Sequence, residues 1–298
     1  MNVFIVWLIY MRSRRLKKPQ ELRASIFQTA ALCLAIGIDP KRSILFIQSD
    51  VTEHGQLAWI LNCYAYMGEL RRMTQFKDKS GSAQEESIRV GLFSYPLLMA
   101  ADILLYNVHA VPVGEDQRQH LELSRELARR MNNIYGEIFS VPEAILPKAG
   151  ARIMGLDDAT KKMSKSAASG YNYIALNDSP EQIRSKLKSA VTDSGREIRF
   201  DEGTKPAVSN LLTIYHLVSG ETIAALEARY QGQGYAGFKS DLGDAVVEFL
   251  RPMQERYQEF LGDRAGLEDL LREGAKRAQT MAQLQLRRVQ ECLGLGFR

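Results

Sequence analysis

Short apolar runs and segments of helical period alternate through the first half of the chain. The apolar runs are short and rich in β-branched residues, as buried strands are. They cover residues 3–11, 43–48 and 108–113. Between them, apolar residues recur at three- and four-residue spacing, which predicts helices over 54–73, 88–106 and 114–133 and one that begins at Pro19 and ends before Gly37. This order of elements predicts an α/β fold with a parallel sheet.

The pattern changes in the second half of the chain. From Ser179 onward nearly every segment has helical period, and the turn signals between strands disappear. This change of composition places a domain boundary near residues 167–178. The sequence therefore predicts an N-terminal α/β domain, residues 1–172, and a C-terminal all-helical domain, residues 173–298.

Composition and charge exclude several classes of protein. The chain has 298 residues, 45% hydrophobic and 25% charged, which excludes a collagen-like or disordered protein. Its net charge of +4 is compatible with a polyanionic partner without identifying one. The run at 3–11 is shorter than the roughly 20 residues of a membrane span, and its positive charges follow it, unlike those of a signal peptide. Cys33, Cys63 and Cys292 lack the spacing of a disulfide framework or zinc site, so we expect a cytoplasmic protein.

The string with the most specific chemistry is Lys162, Met163, Ser164, Lys165 and Ser166. Two lysines three residues apart beside two hydroxyls are suited to embrace a phosphate chain and to neutralise charge on a leaving group. The alternative is an ordinary solvated basic loop. Five fixed residues match by chance in about 1 of 10,000 chains of this length, so the string favours the functional interpretation.

This KMSKS segment resembles the signature loop of the class I aminoacyl-tRNA synthetases, and other segments resemble the bacterial tryptophanyl-tRNA synthetases among them. The similar segments lie at residues 68–79, 98–106, 111–117, 151–154, 190–194 and 250–257. The resemblance covers about residues 19–298. It implies that residues 1–172 form a Rossmann-like catalytic domain and that residues 173–298 form a helical domain that binds the anticodon.

The resemblance also implies a reaction. Members of the family join tryptophan and ATP into tryptophanyl-adenylate, release pyrophosphate and transfer the acyl group to tRNA(Trp). The ATP carries Mg²⁺, and the family works as a homodimer. The lysines expected to stabilise the departing pyrophosphate are Lys162, Lys165, Lys77 and Lys79.

A tryptophan site is expected around Asp102, the one acid in the apolar segment 98–106. An indole has a single polar group, an N–H donor, which a carboxylate satisfies. The resemblance assigns Asp102 this role. It adds residues that pack the ring, Met99, Ile103, Val111 and Val113, and two that hold the ammonium group, Tyr95 and Gln117. The alternatives are a carboxylate paired with a nearby base and, for the apolar residues, ordinary core.

A nucleotide site is expected where a predicted strand meets a predicted helix. The segment 114–117 opens that helix with a glycine, which lets a ligand approach the backbone. The resemblance places Gly114 and Asp116 at the ATP ribose. It further assigns to ATP the adenine-flanking Ile153 and Met163 and the hydroxyls of Ser164 and Ser166. The alternative for Asp116 is simple capping of the helix.

The N-terminal segment departs from the family pattern. No PxGxxHxG-type string is present, so we expect the first, central strand of the sheet to be missing and adenylate formation to be impaired. Residues 7–18 match no family segment. We interpret residues 1 to about 18 as partly the product of a shifted reading frame or a wrongly chosen start, the alternative being a divergent but intact segment.

Two other functions stay open at this point. A tyrosyl-tRNA synthetase shares the fold and the loop, and a catalytically silent synthetase fragment would bind only tRNA or a partner. The four histidines show no triad or metal spacing, which disfavours a hydrolase or a metalloenzyme and predicts no protein metal site.

Overall fold

The computed structural model describes the backbone of residues 3–7 and, with side chains, residues 18–74, 76, 89–146, 152–165, 167 and 169–296. The strands in this part of the chain are β1 (Val3–Trp7), β2 (Ser43–Ile47), β3 (Ala110–Pro112) and β4 (Glu143–Ile145). The helices are α1 (Pro19–Ala35), α2 (Glu53–Asn62), α3 (Met67–Arg71), α4 (Val90–Leu104), α5 (Arg118–Tyr135), α6 (Pro180–Ser189), α7 (Pro206–Ser219), α8 (Ile223–Arg229), α9 (Tyr235–Gly262) and α10 (Arg264–Cys292).

The strands form two parallel pairs. Strand β1 pairs with β2, with Ile5 opposite Leu45, and β3 pairs with β4, with Val111 opposite Ala144. Helix α1 connects β1 to β2, as a parallel crossover requires. The predicted parallel α/β organisation is confirmed. Of the predicted strand at 3–11, residues 8–11 lie outside the described part, as does the polar stretch at 77–87.

Two predicted helices differ from the observed ones in detail, and one observed strand was not predicted. The predicted helix over 54–73 is broken into α2 and α3, because the carboxylate of Glu69 accepts a hydrogen bond from the Tyr66 backbone N–H at 2.9 Å and starts a new helix there. The predicted helix over 114–133 begins with a 3-10 turn, Glu115–Gln117, before α5. Strand β4 was not predicted, because its three exposed residues carry no alternating pattern.

The chain divides into two compact units that do not follow the predicted boundary. The first unit combines Met1–Lys148 with Phe260–Arg298, and the second is Ala149–Glu259. The C-terminal helix α10 therefore belongs with the α/β elements, and the KMSKS segment belongs with helices α6 to α9. Packing explains why α10 belongs to the first unit. The helix buries a face of small and branched residues in the core of that unit. These residues are Ala275, Ala278, Ala282, Leu286 and Val289.

Gly274 allows α10 to lie directly on strand β2. A Cβ atom at this position would stand 2.0 Å from the backbone oxygen of Leu45, a distance that no side chain tolerates. Because the obstacle is the strand backbone rather than a flexible side chain, relief would require α10 or β2 to shift. The close contact therefore depends on glycine.

We expect Gly274→Ala to lower the free energy of unfolding by about 1–3 kcal/mol, the usual cost of overpacking. Gly55→Ala is the matched control, because Gly55 lies inside α2 with open space around its Cα. The control should gain about 0.5–1 kcal/mol from the helix propensity of alanine. Urea denaturation of both variants checks this. A Gly274→Ala variant as stable as the parent would contradict the packing described above.

The second unit is helical with a short irregular N-terminal segment. Its core packs three aromatic rings together in tilted and edge-to-face arrangements, with centroids 5.2–6.2 Å apart. These rings belong to Tyr215, Tyr230 and Phe238. Helix α6 begins with a capping box in which Ser179 and Gln182 exchange hydrogen bonds. Across the described ranges of both units, we find no helix long and apolar enough to cross a membrane.

Candidate active site

Helix α4 places Asp102 in the interior of the first unit, with only 8% of its surface exposed. Its Oδ1 atom accepts a hydrogen bond from the Gln48 amide at 2.6 Å and lies 2.6 Å from His54 Nδ1. Its Oδ2 atom is buried and has no hydrogen-bond partner among the described residues. One oxygen is thus held by the protein, and the other is an acceptor that a ligand donor can satisfy.

His54 connects Asp102 to Tyr106. The ring is fully buried, and its Nε2 lies 2.8 Å from the Tyr106 hydroxyl. Burial, with the charges of Asp102 and Glu53, raises the pKa of Tyr106, so the phenol keeps its proton. The arrangement that satisfies all three groups has Tyr106 donate to Nε2 while His54 donates through Nδ1 to Oδ1 of Asp102. Both protons of these two hydrogen bonds therefore point toward the Asp102 carboxylate.

Burial raises the pKa of the Asp102 carboxyl, and the hydrogen bond and charge of His54 oppose the shift, as does the hydrogen bond from Gln48. The two donors therefore favour the ionised form in a place that disfavours it. The alternative raised for Asp102, a carboxylate paired with a base, is observed at Oδ1. It does not account for Oδ2.

The apolar residues predicted to pack an indole ring lie together. Ile103 and Val113 are buried against Leu121, and the half-buried Met99 and Val111 pack on the same cluster. Met99 lies three residues before Asp102, on the same face of α4, so the cluster adjoins the carboxylate. The structure thus brings four of the predicted ring contacts together beside the predicted indole acceptor.

The two residues predicted to hold the ammonium group contact other partners. The Tyr95 hydroxyl lies 2.6 Å from Nε2 of the buried His120. The Gln117 amide donates to Asp116 Oδ2 at 2.7 Å. No hydrogen bond found in the described ranges joins Tyr95 to Gln117, so their common role stays a prediction.

The predicted ribose segment forms a tight turn before α5. Gly114 precedes the 3-10 turn, and a Cβ on it would stand 2.9 Å from Oδ1 of Asp116, the end of a side chain that can move aside. Asp116 is exposed. Helix α5 begins at Arg118 without a side-chain capping hydrogen bond, so the alternative of simple capping by Asp116 is not observed.

In the second unit, the KMSKS segment is anchored by its backbone to a short preceding stretch. Met154 and Lys162 form an antiparallel bridge, and the Met163 N–H donates to the Ile153 carbonyl at 3.1 Å. The two residues predicted to flank adenine, Ile153 and Met163, are therefore held side by side. Lys162 and Lys165 are exposed to solvent.

Asn172 anchors this segment from the other side. The residue is buried, and its amide oxygen accepts from the Ser164 N–H at 2.8 Å, while its backbone oxygen accepts from the Leu156 N–H at 2.9 Å. A Cβ on Gly155 would stand 2.2 Å from the Asn172 amide nitrogen. The sequence analysis missed Asn172, because one asparagine in a stretch of small and polar residues resembles an ordinary turn residue.

The lysine next to the segment has a different environment. Lys161 forms an ion pair with Asp158 at 3.0 Å. Hydrogen bonds from Thr160 and Lys161 lower the pKa of Asp158 to about 2. The charge of Lys161 is thus paired with a carboxylate three residues before it. Three further predicted site residues, Lys77, Lys79 and Ser166, lie outside the described residues.

Comparisons with known proteins agree with the fold and the sequence motifs. The family described as tRNA synthetases class I (W and Y) matches residues 9–251. The tryptophan–tRNA ligase of Bacillus subtilis (strain 168) is 53% identical over 276 residues, which cover 93% of this chain and 83% of the relative.

Two solved structures are similar over nearly the whole chain. Tryptophanyl-tRNA synthetase from Campylobacter jejuni, complexed with ADP and tryptophan, superposes with a TM-score of 0.85 at 37% identity and covers 98% of this chain and 89% of that one. The synthetase from Mycoplasma pneumoniae gives 0.84 at 36% identity, with 99% and 88% covered. The predicted Rossmann-like α/β fold with a helical part is thereby confirmed, and the chain belongs to the class I tRNA synthetases of the tryptophan and tyrosine (W and Y) family.

Proposed function

We propose that the protein is a tryptophan–tRNA ligase, which activates L-tryptophan with ATP and transfers it to tRNA(Trp). The observation that carries the proposal is the buried Oδ2 of Asp102, which has no partner among the described residues and adjoins an apolar cluster. The named relatives are tryptophan enzymes, and the Campylobacter jejuni structure contains ADP and tryptophan. Both findings favour tryptophan over tyrosine.

In the proposed amino-acid site, the indole N–H donates to Oδ2 of Asp102. The ring packs on the cluster of Met99, Ile103, Val111 and Val113, which offers only apolar contacts. The ammonium group would be held by Tyr95 and Gln117, whose side chains carry neutral oxygen acceptors. A carboxylate beside an otherwise apolar surface suits a ligand that has one donor and a large apolar ring.

For the nucleotide, Gly114 and Asp116 would contact the ribose, and Ile153 and Met163 would flank adenine. The substrate carboxylate attacks the α-phosphate of ATP, so no general base is required, and the bond to pyrophosphate breaks. Negative charge then grows on the pyrophosphate. Lysines and hydroxyls would stabilise it together with the Mg²⁺ that the nucleotide carries. These residues are Lys162, Lys165, Lys77, Lys79, Ser164 and Ser166.

We also propose a cytoplasmic homodimer whose helices within residues 173–298 read the anticodon. The proposal of a dimer rests on three large, exposed apolar side chains of the first unit. Trp59 is 71% exposed, Tyr66 63% and Met67 61%, and all three lie on or beside the neighbouring helices α2 and α3. Exposed apolar residues grouped on one part of the chain are typical of a protein–protein interface.

Amino-acid-dependent exchange of pyrophosphate into ATP tests the proposed activity. The assay compares tryptophan with tyrosine, in the 298-residue chain and in a chain extended with the N-terminal segment of the Bacillus subtilis relative. We expect exchange in the extended chain with tryptophan and not with tyrosine. Exchange with tyrosine would indicate a tyrosyl enzyme. No exchange with either amino acid in the extended chain would favour a silent, tRNA-binding or partner-binding role.

A further inference from the structure

The hydrogen bonds around Asp102 divide its two oxygens into different roles. Gln48 and His54 both contact Oδ1, each at 2.6 Å, and no partner is found for Oδ2 in the described part of the chain. A carboxylate on a two-carbon side chain could rotate and present either oxygen. Two contacts on the same oxygen oppose this rotation, so the direction of the remaining acceptor is set by residues that need not touch a ligand.

His54 is itself held by several neighbours. The ring packs against Phe46 and Tyr106, with centroid distances of 5.9 and 5.5 Å, and its Nε2 faces the Tyr106 hydroxyl. Strand β2 supplies Phe46, α2 supplies His54 itself, and Tyr106 lies two residues after the end of α4. Three elements of the first unit therefore hold one imidazole ring in a single orientation.

We propose that His54 is a positioning residue: it holds Oδ1 of Asp102 through Nδ1 so that Oδ2 faces the amino-acid side chain and accepts its N–H. The proposal rests on the proposed function, because it takes an indole as the ligand. It adds that specificity for the N–H group depends on a histidine 48 positions away from the carboxylate.

A pair of ligands separates positioning from general stability. L-tryptophan and L-3-(benzothiophen-3-yl)alanine have similar shape, but sulfur replaces the N–H group in the second. The ratio of their dissociation constants, measured by calorimetry on the full chain, reports the N–H contact alone. In the parent chain we expect tryptophan to bind about 10- to 150-fold more tightly, the range for a hydrogen bond to a charged group.

Two substitutions of His54 form a matched pair. The Asn amide nitrogen stands where Nδ1 stands, so His54→Asn keeps a donor toward Asp102. The Gln amide nitrogen stands where Nε2 stands, so His54→Gln removes that donor. We expect the ratio to fall to about threefold or less in His54→Gln and to stay within about threefold of the parent in His54→Asn. Tyr106→Phe, which removes the hydroxyl that faces Nε2 and keeps the ring, should lower the ratio part of the way.

The outcomes are separable. A parent chain that binds both ligands equally, or neither of them, would overturn the proposed indole contact and the positioning role with it. A parent that discriminates, with His54→Gln discriminating as strongly, would overturn the positioning role alone. Equal losses of affinity for both ligands in His54→Gln would likewise leave the ratio unchanged and mark His54 as purely structural. If His54→Gln does not fold, an unchanged ratio in Tyr106→Phe would overturn the positioning role.

Discussion

Replacement of Lys165 by alanine is expected to slow adenylate formation about 10²- to 10³-fold while tryptophan affinity stays within about twofold of the parent. Lys165 is exposed on the KMSKS segment and is free to approach a phosphate chain. The charge it neutralises develops only as pyrophosphate departs, so its loss raises the barrier without weakening the ground state. Single-turnover measurements in a chain extended with the Bacillus subtilis N-terminal segment give the rate, and calorimetry gives the affinity.

Lys161→Ala is the control for this experiment. It removes the same charge four positions earlier, just before the KMSKS segment, but Lys161 is paired with Asp158. We therefore expect its rate to stay within about threefold of the parent. Equal losses in the two variants would indicate a general effect of positive charge on nucleotide binding rather than a specific role for Lys165.

Local pattern was sufficient to predict most of the secondary structure. Strand β2 was predicted at 43–48 and lies at Ser43–Ile47, and the helix predicted from Pro19 to before Gly37 ends at Ala35. Both rest on signals inside a few residues, namely an apolar run and a proline–glycine pair. The break between α2 and α3 depends instead on the Glu69 carboxylate, which accepts a hydrogen bond from a backbone N–H. The spacing of apolar residues does not predict such a contact.

Placement of the last helix could not be predicted from composition. The sequence shows that α10 has apolar and small residues at helical spacing, but the same spacing would suit packing on any neighbour. What decides its position is complementarity, with Gly274 allowing the helix axis to approach the backbone of Leu45. In a sequence, a glycine inside a helix predicts lower helix stability, whereas Gly274 makes the close contact between α10 and strand β2 possible.

The candidate site shows a similar division. Asp102 could be predicted because a single acid in an apolar helix is conspicuous within its own segment. His54 and Gln48 could not, because their importance comes from hydrogen bonds to a residue 48 and 54 positions away. The spacing of His54 fits neither a catalytic triad nor a metal site, and neither pattern describes a donor that orients a carboxylate.

Replacement of Asp102 by asparagine is expected to weaken tryptophan binding about 10- to 150-fold, or about 1.5–3 kcal/mol. The size of the effect follows from the neighbours of Asp102. Gln48 donates to Oδ1, so an asparagine must place its oxygen there and its NH₂ group at the position of Oδ2. The indole N–H would then face another donor. The variant loses the charge and also creates a buried donor pair without an acceptor.

The benzothiophene analogue supplies the control for Asp102→Asn. Because the analogue has no N–H group, its affinity should change by less than about threefold, and the parent's preference for tryptophan should disappear. An unchanged tryptophan affinity would contradict the assignment of Asp102. A parallel loss for both ligands would point instead to distortion of the apolar cluster that includes Ile103 and Val113, because those contacts are common to the two rings.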